Sequence, residues 1–223
     1  MLQKNTSASW DSYYEKKPLT VGRYLASLAG HAPLFDAIAE CRPGKILEVG
    51  SGTGAMCTFL SHLGYEVTSL DNDAKVLERA KRFSDDMRGH CRFVQGDAAQ
   101  LSKLFSSGAF DVAFSQGFFE HFSDVEIRAF VREQLAAAST VIFSVPSKYY
   151  GTQDYGNERL LLVEDWRNIL CQFNIRFARS YHRKLRGMKS LAKDAVFRPW
   201  RLVPWEQQEH ILVRVDQESA VKR

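Results

Sequence analysis

Cysteine and proline are scarce in this 223-residue chain, with four of the former and six of the latter, and no long apolar run occurs. Cys41, Cys57, Cys91 and Cys171 are scattered, without a CxxC pair or a Cys/His cluster at metal-ligand spacing. That pattern excludes a disulfide scaffold and a zinc module, so the thiols are expected to be reduced and mostly buried, and no metal is expected. No window approaches the roughly 18 uninterrupted apolar residues that cross a bilayer. The N-terminal MLQKNTSASWDSYYEKK has no apolar signal core, so a cytoplasmic protein is expected. Internal repeats and low-complexity linkers are also lacking. What is present is ordinary globular composition, 45% hydrophobic and 25% charged, enough for one compact domain.

The net charge of +4 is unevenly spread. Met1 to Tyr150 holds 16 basic and 17 acidic residues, leaving 14 basic and 9 acidic for the remainder. Nine basic residues against the single acid Asp194 fall between Arg176 and Arg201, interleaved with Phe197 and Trp200. Three readings of that stretch compete: a solvated face, a contact for an anionic small-molecule acceptor, and a surface for nucleic acid or anionic membrane.

Short apolar runs alternate with longer amphipathic stretches, the pattern of βα units. Strands are expected at Lys45 to Val49, Glu66 to Leu70, Arg92 to Val94, Phe110 to Ser115 and Ser139 to Val145, then at Phe173 to Tyr181 and His210 to Val215. Helices are expected at Ser9 to Lys17, once or twice within Leu19 to Cys41, and at Ala55 to Leu63, Asp73 to Phe83, Asp124 to Ala138 and Val163 to Cys171. The expected fold is α/β: a Rossmann-like, seven-stranded, mostly parallel sheet with helices on both faces and its last strand antiparallel. Right-handed crossovers place ligands at the carboxyl ends of its strands.

The densest chemistry is Glu48-Val-Gly50-Ser51-Gly52-Thr-Gly54, between the first strand and the next helix. Glycines let the backbone turn and approach a ligand, and the helix behind them offers unpaired N–H groups. Asp71 follows Gly50 by 21 residues at the end of the second strand, where a carboxylate can accept both hydroxyls of a ribose. Asp97 ends the third strand likewise. Gly50, Gly52 and Ala55 also satisfy the GxGxx[GA] dinucleotide spacing, so a nicotinamide cofactor stays open on spacing alone. Gly54 has a packing alternative and Asp73 a helix-capping one.

Glu48 ahead of the glycines, giving ExGxGxG, together with Gly96-Asp97-Ala98, resembles the class I S-adenosylmethionine-dependent methyltransferases of small-molecule type, from about Lys45 through Pro146. The resemblance implies one domain over residues 1–223: N-terminal helices or lid (1–42), a cofactor-binding core (43–146), and a substrate-side helix, basic insertion and last two strands (147–223). It implies that Glu48, Gly50, Ser51 and Gly52 hold the methionine side of S-adenosylmethionine, with Asp71 and Asn72 at the ribose, Asp97 and Ala98 at the adenine edge, and Gln116 near the sulfonium. S-adenosylhomocysteine is the implied product.

Glu120-His121-Phe, after the fourth strand, is similar to the xxxEH[FLV] segment of such enzymes. It makes His121 the candidate base, while Glu120 is expected to serve a backbone group or helix end. Trp10, Asp11, Tyr13 and Tyr14 resemble the helix that closes over the cofactor in relatives. Tyr14, Tyr149, Tyr150 and Arg198 are the candidate substrate contacts, with Tyr155 also after the fifth strand. The expected activity is methyl transfer to oxygen or nitrogen of a small polar or anionic metabolite. The alternatives are an NAD(P)-type oxidoreductase using the same loop, or a non-catalytic cofactor-binding partner subunit. The sequence does not specify an oligomeric state.

Overall fold

The computed structural model describes residues 10–16, 18–181 and 209–218. Helices α1 (Trp10–Lys16), α2 (Val21–Gly30) and α3 (Ala32–Glu40) precede the first strand. There follow β1 (Lys45–Val49), α4 (Ala55–His62), β2 (Glu66–Asp71), α5 (Ala74–Asp86), β3 (Cys91–Gln95), α6 (Leu101–Leu104), β4 (Phe110–Gln116), α7 (Asp124–Ala137), β5 (Ala138–Pro146), α8 (Val163–Ile169), β6 (Asn174–Tyr181) and β7 (His210–Asp216). The seven strands form one sheet in the order β3-β2-β1-β4-β5-β7-β6. Pairings from β3 through β5 are parallel, and β7 runs antiparallel to both neighbours. The expected strands and helices all occur, and Ala98–Leu104 adds a 3₁₀ turn and the short α6 that the pattern did not announce. Asp97 nucleates that turn by accepting the Ala99 N–H at 2.8 Å.

Side chains alternate across each strand, and this splits the core. Leu47, Val49, Ala113, Val141, Phe143 and Val145 pack on one face with Ile127, Val131 and Trp166 from α7 and α8. Ile46, Val67, Val112, Phe114 and Ile142 pack on the other with Leu34, Ile38, Cys57 and Leu60 from α3 and α4. Local chemistry fixes where helices begin: Asp73 accepts the N–H groups of Lys75 and Val76, and Ser123 and Glu126 form a reciprocal capping box for α7. Strand order reverses between β1 and β4, which opens a crevice at their carboxyl ends.

Candidate active site

The crevice is a cavity of about 940 Å³ into which the β1, β2 and β4 ends, α1 and the loop after β5 all project. At its floor Gly52 holds φ +50°, and a Cβ there would lie 3.0 Å from the Tyr14 hydroxyl. This residue is bare because α1 presses a ring onto it. Gly54 is different: a Cβ would meet the Ala80 carbonyl at 2.6 Å, so its lack of a side chain allows α4 to pack on α5.

Glu48 sits beneath the loop, 4% exposed, and burial pushes its carboxyl up to about 8. Ser69 Oγ lies 2.5 Å from Glu48 Oε2 and 2.8 Å from Ser51 Oγ. One hydroxyl proton cannot serve both, so Ser69 donates to the carboxyl and accepts from Ser51. Asp71 grips the loop from β2, accepting the N–H of Ser51 at Oδ2 and that of Asp73 at Oδ1, each at 3.0 Å. Its carboxyl is raised by burial, against which these backbone bonds act.

His121 ends a 3₁₀ turn, Phe119–His121, that follows β4. Its Nδ1 lies 2.6 Å from Asn157 Oδ1 and donates to it, leaving the Nε2 lone pair uncommitted to that bond. Burial lowers the imidazole's pKa, so it is neutral at pH 7. Trp10 packs edge-on at 5.0 Å between ring centroids and stacks on Tyr155 at 3.9 Å, roofing the histidine. Ion pairs hold α1 there: Arg79 Nη2 of α5 is 2.7 Å from Asp11 Oδ1 and 3.6 Å from Glu15 Oε1.

Of the residues expected from the sequence, Glu48, Gly50, Ser51, Gly52, Asp71, Asn72, Asp97, Ala98, Gln116, His121, Tyr14 and Tyr150 all line this cavity. Tyr149 does not. The turn closed by Tyr150 N–H to Ser147 O at 2.9 Å directs Tyr150 toward His210, 5.1 Å between rings, and leaves Tyr149 39% exposed. Arg198 and most of the basic stretch lie outside the described residues. Glu120, expected to serve a backbone group or helix end, bonds its own backbone N–H and also borders the cavity at 3% exposure. Asn157, Glu158 and His210 escaped the sequence reading because they reach the site from distant loops and from β7, with no motif around them.

The described lining carries Glu48, Asp71, Asp97, Glu120, Asp154 and Glu158 against a single Arg or Lys, Arg23. Carboxyl groups crowding a glycine loop repel a pyrophosphate, and they suit hydroxyls, an amino group, an ammonium and a sulfonium. The residues therefore fit S-adenosylmethionine better than a dinucleotide. Among the described residues no group of three or more His, Cys, Asp or Glu could hold a metal ion, and no helix is long and apolar enough to cross a membrane.

Comparison with known proteins agrees. The family described as "Methyltransferase domain" matches residues 46–138. A protein-L-isoaspartate O-methyltransferase of Pelodictyon phaeoclathratiforme is 31% identical over 93 residues, 40% of this chain and 42% of that protein, so the chain spans less than half of the relative's length. A solved protein of Pyrococcus horikoshii OT3 superposes with a TM-score of 0.68 at 14% identity, over 93% of this chain and 99% of that one. The magnesium protoporphyrin IX methyltransferase of Synechocystis PCC 6803, solved with bound SAH, superposes with a TM-score of 0.62 at 16% identity, over 94% of this chain and 92% of that one. Residues 46–138 thus match a methyltransferase domain, and the acid-flanked glycine loop and β3-β2-β1-β4-β5-β7-β6 sheet that contain them share the fold of these solved structures.

Proposed function

We propose that the protein transfers a methyl group from S-adenosylmethionine to a protonated oxygen or nitrogen of a small polar acceptor. The observation that carries this reading is a neutral, oriented imidazole, His121, in the same cavity as the Glu48–Gly52 loop and Asp71. When bound, the donor supplies an electrophilic methyl on a sulfonium. Asp71 holds the loop and has lone pairs left for ribose hydroxyls; Asp97 would meet the adenine edge, and Gln116, at the end of β4, the methionine side. Asn157 fixes the His121 ring through Nδ1, and Nε2 would take the acceptor's proton as the new bond forms. Trp10, Tyr14 and Tyr155 cover the site and exclude water. The basic residues that favoured an anionic acceptor lie largely outside the described residues, and the described lining is acidic, which favours a neutral or cationic one.

Thermal unfolding with S-adenosylmethionine, S-adenosylhomocysteine, NAD and NADP tests the cofactor. A ligand at ~100 Kd stabilises by about 2.7 kcal/mol, so the two adenosyl compounds should raise the midpoint and the dinucleotides should not. A rise with the dinucleotides alone assigns the loop to an oxidoreductase. Formation of S-adenosylhomocysteine across a metabolite panel then identifies the acceptor and separates an enzyme from a partner subunit.

A further inference from the structure

Glu120 is a buried ionisable group for which the mechanism above has no use. It borders the cavity at 3% exposure, and among the described residues its Oε2 has no hydrogen-bond partner. Its Oε1 is 3.9 Å from His121 Nε2, too long for a hydrogen bond, and 3.5 Å from where a Cβ on Gly117 would stand. Its own backbone N–H bonds the carboxyl, but a buried oxygen left unsatisfied costs about 1–3 kcal/mol, more when ionised, so its place in the site asks for a compensating ligand.

The groups around it narrow the kind of ligand. Tyr13 and Tyr14 of α1, Glu48 of β1 and Asp71 of β2 share the corner over Gly52 with it, and Glu158 faces it from the loop after β5. On its own turn stands His121, neutral through burial. None of these carries a positive charge at pH 7, and the single guanidinium on the described lining, Arg23, comes from α2. A cation arriving here would meet carboxyl groups from three elements and displace no resident one.

We propose that Glu120 reads the sulfonium charge, binding the cationic methyl donor in preference to its product, whose sulfur is uncharged. This rests on the methyltransferase reading and deepens it by assigning product release to a residue. Both molecules carry the same ammonium, ribose and adenine, so a difference between them isolates the sulfur. Without ligand, burial pushes the Glu120 carboxyl up to about 8, and it is largely protonated at pH 7. An opposite charge within contact range lowers a carboxyl pKa by about 1–3 units. Donor binding then ionises Glu120 and expels its proton to solvent; loss of the methyl removes the charge, Glu120 takes a proton back, and the product's hold weakens.

Calorimetric titration of the wild-type protein near pH 7, in two buffers of different ionisation enthalpy, reads this directly. S-adenosylmethionine should release up to about one proton per site, and S-adenosylhomocysteine much less. Glu120→Gln should abolish the difference, weakening the donor about tenfold while moving the product less than about twofold. Equal proton release by the two ligands overturns the proposal without needing the variant, and so does an equal loss of affinity for both in Glu120→Gln, which marks a packing role. If neither ligand binds wild-type protein, the methyltransferase reading itself fails, a result distinct from either of those.

Discussion

Two opposing effects set the fitness of His121 for the base role proposed for it. Burial among Trp10 and Tyr155 lowers its pKa, and the Asn157 carbonyl oxygen, by accepting from Nδ1, favours the protonated form and fixes the ring. Activity should thus rise along an acid limb placed below the ordinary imidazole value of about 6.5. His121→Ala should lower kcat by about 10²-fold or more and leave donor affinity within about twofold. Asn157→Ala should leave a slower enzyme whose acid limb lies lower still, because the bond favouring protonation is gone. An unchanged pH–rate profile in Asn157→Ala would remove Asn157 from the mechanism. At Gly52 the argument is steric. With φ +50° and the Tyr14 hydroxyl already at 3.0 Å from a Cβ, Gly52→Arg has to lift α1 or fill the crevice, and calorimetry should show donor binding lost.

At the scale of elements, α1 is lightly tethered to the site. It contributes no buried residue of its own, and its hold on α5 is the Asp11–Arg79 pair, with side chains 16% and 33% exposed, supplemented by Lys75 and Glu15. Part-exposed pairs of this kind are worth about 0.5–1 kcal/mol, so Arg79→Ala should speed donor exchange about two- to fivefold. Stopped-flow fluorescence can read it, since Trp10 stacks on Tyr155 when α1 is down. Identical rates in the variant would mean that ring stacking alone holds the helix. Legibility in the sequence divides at the same scale. The loop from Glu48 to Gly54, Asp71 and the strand ends announced themselves because glycine spacing and strand periodicity are local. The inward course of Glu120 did not, because it depends on a 3₁₀ turn placing Phe119 in the core beside Phe143. Asn157 and Glu158 come from a loop of turns between β5 and α8, and His210 is brought in by its pairing with Pro146 across antiparallel strands. Those are long-range placements that no short window encodes.

For the molecule as a whole, putting Glu48 and Glu120 in one site makes folding stability depend on pH in a definite direction. Both carboxyls are raised by burial to about 8 from an ordinary value near 4.5. Between those values the native protein holds protons that the unfolded chain has released, so this contribution to stability is full below about pH 4.5 and is lost as pH rises through about 8. His121 acts in the opposite sense: with its pKa lowered by burial, its contribution is present above about pH 6.5 and falls away in acid. Comparing wild-type protein with a Glu48→Gln, Glu120→Gln double variant cancels the histidine, which both share. Glutamine resembles the protonated acid in shape but cannot ionise. The unfolding midpoint of the variant relative to wild type should therefore be lowest near pH 5 and climb steadily to about pH 9, where the wild type alone carries buried negative charge. Ser69, which donates to Glu48 Oε2, can still donate to the amide oxygen of a glutamine, so no hydrogen bond need be lost. A difference in midpoint that stays flat over that range would show that the two carboxyls ionise as freely in the fold as in water, and would remove the basis for charge reading at Glu120.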